Sequence, residues 1–133
     1  VHHISEVGAG IQMAPNMARV LSRLGLLEQL LEKTNLLTRS SLRRYANYEE
    51  LSTAPLMPAI GDKYGAPLGV IHRGDLQRII LEHAQSLGVD IRTDHRVVNV
   101  DKEFKPGVQT QSGKRFEGDV IIAADGIKSR IRA

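Results

Sequence analysis

Three short segments carry residue types that could hold an anionic, flat ligand. Arg73 lies between a short apolar run, residues 68–72, and a helical pattern that opens at Asp75. Backbone N–H groups and the dipole at such a helix start favour negative charge, and a guanidinium adds paired hydrogen bonds to phosphate oxygens. The alternative is an Arg73 paired with Asp75 or another carboxylate. Asp125-Gly126 closes the run Val120-Ile121-Ile122-Ala123-Ala124, and Ser129, Arg130 and Arg132 follow. A carboxylate cannot face a diphosphate directly, so Asp125 would act through an arginine or a ribose hydroxyl; equally, it could cap a following helix while Gly126 makes the turn. Gly8-Ala9-Gly10, followed by Ile11-Gln12, is a small-residue turn that permits close backbone approach to a flat ligand, or is simply a loop.

The surrounding pattern supplies elements to position these residues. Residues 120–122 read as a strand buried on both faces, as inside a parallel sheet, with Asp125 at its carboxyl end where open α/β sheets place ligands. Asp75 is expected to cap a helix, an interaction of about 1 kcal/mol. Leu76, Ile79, Ile80, Ala84 and Leu87 form that helix's apolar stripe and Gly88 its stop, with Gln77 facing away. An earlier helix over 16–24 has Pro15 at its first turn, Met17, Val20, Leu21 and Leu24 inward and Gly25 as its stop; a short one follows over 26–32.

Residues 41–48 read as a strand and 54–69 as loops leading into a strand at 68–72. A strand at 89–93 would complete a parallel helix–strand unit. Residues 96–102 alternate, with Val98 and Val100 on one face; 108–111 and 115–117 flank the turn Ser112-Gly113-Lys114, giving an antiparallel meander.

In order and approximate spacing, Glu6-Val7-Gly8-Ala9-Gly10-Ile11-Gln12, Ile71-His72-Arg73-Gly74-Asp75-Leu76-Gln77 and the segment from Gly118 to Arg132 resemble the FAD-dependent aromatic-ring monooxygenases, the salicylate hydroxylase-like group in particular. The resemblance implies an α/β fold: part of an FAD/NAD(P)-binding Rossmann-like domain, with a small antiparallel meander and, over 37–70, a segment of the substrate-binding sheet. It implies FAD as cofactor, NAD(P)H as co-substrate, and O2 and a small aromatic molecule as substrates. In such enzymes NAD(P)H reduces the flavin, oxygen gives a C4a-hydroperoxide, and that species hydroxylates the ring.

By the same resemblance, Arg73 matches the arginine that contacts the ribityl-pyrophosphate region. Asp125 and Gly126 match an Asp-Gly motif tied to both FAD and nicotinamide, with Ser129 and Arg132 matching its later serine and arginine. Gly8 and Gly10 match the loop beside the flavin ring, Gln12 would point to the isoalloxazine or substrate side, and Val97 falls at a backbone contact to the adenine. Glu6 is not the family's ribose-binding glutamate, which is expected upstream of Val1. The glycine-rich dinucleotide fingerprint and a later flavin motif do not occur in these residues, so the chain reads as a fragment, expected to bind FAD weakly or not at all by itself and to turn over nothing. Two alternatives stand beside the hydroxylase: a non-catalytic remnant of such an enzyme, and another FAD oxidoreductase of the same fold, an epoxidase or halogenase. The Asp-Gly motif favours the hydroxylase, because its basic tail relates to nicotinamide use.

Composition excludes other classes. In 133 residues, 41% apolar and 25% charged, no run reaches the roughly eighteen apolar residues of a membrane span, and no secretory signal is recognisable. The absence of cysteine removes disulfide and thiol chemistry from this segment and is compatible with a cytoplasmic location. The chain opens on Val1, so a targeting segment could lie outside it. A net charge of +3 identifies no partner. Arg39, Arg43 and Arg44 with Tyr45 and Tyr48 could form a nucleic-acid surface, but Glu49 and Glu50 follow at once and no nucleic-acid motif accompanies them, so a solvated face is expected. His2 and His3 point apart on a strand and make a poor metal pair; His83 reads as a core or boundary residue, and His72 and His95 stand alone. No nucleophile–histidine or paired-carboxylate arrangement is visible, which suits a protein whose cofactor carries the chemistry. The oligomeric state is not encoded in any pattern read here.

Overall fold

The computed structural model describes residue 4 and residues 8–101, 106–129 and 131–132. His2, His3, Glu6, Val7, Lys102 and Arg130 lie outside the described residues. The chain divides into two compact units, Ser5–Asp90 and Val1–Ile4 with Ile91–Ala133.

In the Ser5–Asp90 unit, β1 (Gly10–Met13), β5 (Gly69–His72) and β2 (Thr34–Leu36) form a three-stranded antiparallel sheet in that order. Gly10 pairs with His72, Gln12 with Val70 and Asn35 with Val70, while Ile11 and Thr34 both pair with Ile71. Opposed residues share a face. One face therefore carries Ile11, Met13 and Ile71; the other carries Gly10, Gln12, Val70, His72 and Asn35. Against the first pack α1 (Pro15–Arg23), α2 (Leu27–Leu31) and α4 (Arg73–Ser86), burying Met13, Ala18, Leu21, Leu26, Leu30, Ile71, Leu76 and Ile79 in one core.

Local chemistry fixes the helix ends. Pro15 stands in the first turn of α1. At its end, Gly25 (φ +73°) donates to the Ser22 carbonyl at 3.0 Å and Leu26 to that of Leu21 at 2.9 Å. The end of α4 repeats this: Gly88 (φ +79°) donates to Gln85 at 2.9 Å and Val89 to Ala84 at 3.1 Å. These paired bonds satisfy carbonyls the helix leaves open, and glycine adopts the required left-handed conformation without strain. The apolar stripes are narrower than periodicity predicts. Val20, Leu24, Ile80 and Leu87 are exposed, because a short helix seated on a small sheet buries only the row facing it.

Several expected elements differ. Asp75 does not cap α4: the helix starts at Arg73, its N-cap is His72, and Asp75 instead accepts from Arg78 at 2.7 Å. Residues 41–48 are not one strand. Within β3 (Arg39–Arg43) and β4 (Glu50–Pro55) lies a hairpin, turned by a glycine-free loop in which Tyr48 takes φ +61° and donates to the Arg44 carbonyl at 2.9 Å. Within 54–69, α3 (Ala59–Tyr64) occupies the expected loop and ends on left-handed Gly65.

In the Ile91–Ala133 unit, β6 (Val97–Val100), β7 (Gly107–Thr110) and β8 (Arg115–Glu117) form the expected antiparallel meander, turned at Gly113 (φ +84°). A register shift between Val97 and Asn99 breaks the alternation, so Val97 and Val100 are the half-buried pair and Val98 is exposed. Thr110 is buried, and its hydroxyl donates to the Lys114 carbonyl at 3.1 Å. Residues 89–93 and 120–122 form no strand, and every ladder among the described residues is antiparallel. Val120 is 75% and Ile122 85% exposed. A β-branched run becomes a strand only where a neighbour accepts its backbone hydrogen bonds, and no described strand pairs with it. No described helix is long and apolar enough to cross a membrane.

The arginine cluster is internally paired. Glu50 accepts from Ser41 Oγ at 2.6 Å, Arg39 at 3.4 Å and Arg43 at 3.3 Å; Arg44 meets Glu49 at 3.1 Å, and the Arg43 guanidinium lies 4.7 Å from the Tyr48 ring centroid. The Ser41 hydrogen bond, then the charges of Arg39 and Arg43, hold the Glu50 carboxyl below its ordinary value.

Three outcomes follow. A methyl group on Gly69 would collide with Thr34 Cγ2 and come 3.0 Å from the Asn35 carbonyl, both on the adjacent strand. Gly69→Ala is expected to lower stability by about 1–3 kcal/mol in urea unfolding. Leu30 is fully buried, and Leu30→Ala should cost about 2–5 kcal/mol in the same assay. Because the Glu50 value is lowered, its contribution to the hairpin is present above the ordinary carboxylate range and lost as pH falls through the folded value. An NMR titration of Ser41→Ala should show the Glu50 carboxyl moving back up.

Candidate functional site

The predicted ligand-binding residues fall in two groups, one in each unit. In the Ser5–Asp90 unit, β1–β5 pairing brings together two motifs some sixty positions apart in the chain. Gly10 stands opposite His72, and the Arg73 backbone N–H donates to the Ala9 carbonyl at 2.9 Å. The Gly8-Ala9-Gly10 loop is thereby tied to the start of α4. A methyl on Gly8 would lie 3.3 Å from His72 Nε2, whereas one on Gly10 would meet nothing within 4 Å. The loop is closely fitted on one side and open on the other.

Arg73 occupies the first position of α4 and is exposed, as are Gln12 and Gln77. Its guanidinium appears in no ion pair among the described contacts, since Asp75 serves Arg78. A cation at a helix start, beside a glycine loop with open space above Gly10, fits the phosphate and ribityl oxygens of a dinucleotide and the edge of a flat ring. Gln12 shares the open sheet face with Gly10 and His72, so its amide is available to a ligand lying there.

His72 is the residue that sequence reading passed over. Its Nδ1 accepts the Gly74 N–H at 3.2 Å, closing the first turn of α4. The signal was present but weak: a histidine two residues before Gly74 can cap just as Asp75 could, and only the helix start decides between them.

In the Ile91–Ala133 unit, a cleft of about 440 Å³ is lined by Val97, Val108, Ile121, Ala123, Asp125 and Lys128, among others. Its lining includes both Val97 and Asp125, with several aliphatic side chains and the charged groups Arg96, Asp125 and Lys128. Lys128 was not among the residues singled out from sequence.

Among the described residues of 125–132 no helix forms, so Asp125 caps none there; hydrogen bonds close a loop instead. Gly126 has φ +80° and its carbonyl accepts from the Ser129 N–H at 3.1 Å. Ser129 Oγ accepts from the Arg132 N–H at 3.1 Å, and the Arg132 guanidinium donates to the Ile127 carbonyl at 3.0 Å. The Ile131 N–H reaches Asp125 Oδ2 at 3.5 Å. Here Asp125, Ser129 and Arg132 shape the loop as much as they present charge. No group of three or more metal-ligating side chains occurs among the described residues.

A sequence profile of the FAD binding domain matches residues 6–133. The FAD-dependent monooxygenase OpS4 of Beauveria bassiana is 39% identical over 130 residues, 97% of this chain and 30% of that protein. The 3-hydroxybenzoate 6-hydroxylase of Klebsiella oxytoca is 32% identical, over 98% of this chain and 34% of its own length. A variant of HpxO from Klebsiella pneumoniae, crystallised with FAD, superimposes with a TM-score of 0.83 at 26% identity, over 99% of this chain and 33% of that one. The chain thus spans about a third of the length of the relatives it matches. The chain belongs to the FAD binding domain family of the FAD-dependent aromatic-ring hydroxylases.

Proposed function

We propose that this chain supplies part of the FAD site of a monooxygenase that hydroxylates a small aromatic substrate with NAD(P)H and O2. The observation that carries the reading is the β1–β5 pairing, with Gly10 opposite His72 and the Arg73 N–H on the Ala9 carbonyl, which ties the glycine loop to the start of α4. Bound FAD would supply the redox and oxygen-transfer chemistry. The chain's own residues bind and orient. Arg73 holds ribityl and phosphate oxygens, and the glycine loop admits the ring edge. The Gln12 amide faces the ring or the substrate. Val97 borders the cleft where a backbone contact to adenine would be made, and the loop of Asp125, Gly126, Ser129 and Arg132 presents a shaped polar edge beside it. The hairpin within 37–70 is assigned to the substrate side, and the cytoplasm is the proposed location.

A second reading, a remnant without catalysis, draws on the exposure of Val120 and Ile122, apolar residues that a complete sheet would cover.

An FAD titration followed by flavin fluorescence separates the two readings, run on this chain and on the chain extended along its own gene. The expected result is weak binding by the chain, tight binding by the extended protein, and a loss of about tenfold or more in Arg73→Ala, as for a charge-assisted hydrogen bond. Oxidation of NAD(P)H stimulated by aromatic acids should accompany tight binding. An extended protein indifferent to FAD would remove the enzyme reading.

A further inference from the structure

We propose that Asn35 is a substrate-contacting residue, which with Gln12 grips the two sides of a small aromatic ring lying on Val70. The sheet register carries the inference. Strand β5 is central, and on the face turned away from the core Val70 is paired on both sides: Gln12 stands across from it on β1 and Asn35 on β2. The three therefore form one row, on the face opposite the buried Ile71. Val70 is half-buried, Gln12 and Asn35 are exposed, and neither carboxamide is held by another described residue.

Two strand spacings put Gln12 and Asn35 about 9–10 Å apart at the backbone. That width admits a single aromatic ring between the ends of the two side chains, with the Val70 methyls as its floor. Each carboxamide offers an acceptor oxygen and two N–H donors and carries no charge. The pair fits hydroxyl, amino or lactam groups on opposite edges of a ring. A carboxylate is better served by a cation, so the row selects for the uncharged polar substituents. A ring without them leaves both amides unpaired once water is displaced, which is how a hydrogen-bonding site discriminates. Val70 also lies two residues from His72 along β5, about 7 Å, and so beyond the glycine loop and Arg73. The inference rests on the proposed monooxygenase reading for the identity of the ring as substrate; the register and the two amides do not depend on it.

An NMR titration of the full chain with resorcinol, followed at the side-chain amide signals of Gln12 and Asn35, tests the ring site directly. Both signals should move together, and the dimethyl ether of resorcinol should bind about tenfold more weakly, as for a lost hydrogen bond. Asn35→Leu should weaken resorcinol by a similar factor, read at Gln12, while Asn35→Gln, which keeps the amide, retains more of the binding. No movement of these signals, or equal movement with both probes, overturns the proposal. In the FAD-loaded extended protein, Asn35→Leu should raise KM for a phenolic substrate about tenfold and leave the affinity for FAD unchanged. An equal loss of FAD affinity would assign the amide to the flavin and also overturn it. An extended protein that ignores FAD removes the monooxygenase reading, and the resorcinol titration then decides the ring site by itself.

Discussion

Strand β5 is the constraint on which the Ser5–Asp90 unit depends. It is paired on both edges, and its four residues divide their tasks by position. Gly69 lets the Thr34–Leu36 strand approach closer than any side chain would allow. Ile71 seals the sheet onto the helices, and Val70 and His72 face the other way. Because the pleat alternates, a change of one residue in register would exchange the core face with the open one. The position of His72, and with it the start of α4 and the placement of Arg73, follows from the packing of Ile71.

The Ile91–Ala133 unit is held differently. Its buried residues include Gly107 and the polar Thr110. Arg115 joins Asp101 at 2.8 Å and Glu117 at 3.1 Å, and the Phe116 ring meets both the Arg92 guanidinium and the His95 ring. The Asp-Gly loop closes on itself through Ser129 and Arg132. Such bonds, mostly exposed, give shape at little net stability, whereas the core around Met13 and Leu30 supplies stability with little chemistry. Candidate ligand-binding residues lie in each unit: at a sheet end in Ser5–Asp90, and at a hydrogen-bonded loop and cleft in Ile91–Ala133.

In the proposed reading, Arg73, Gln12 and the glycines act by where they stand. That suits a site whose reactivity resides in a bound group, since the protein then needs space, hydrogen-bond donors and a fixed edge more than a tuned acid or base.

The sequence by itself determined what closes locally. The helices with their glycine stops at Gly25 and Gly88, the Gly113 turn and its meander, and the three motifs with their family resemblance were all readable, because a helix makes its hydrogen bonds four residues back and a tight turn within four. Tertiary structure decided what needs a distant partner. Whether 120–122 becomes a strand depends on a neighbour's backbone groups. Whether 41–48 is one strand or half a hairpin depended on Glu50–Pro55 folding back through a turn with no glycine to announce it. His72 and Asp75 were both competent caps; the register of β5, set by its two neighbours, placed the helix start one residue after His72 and so chose between them.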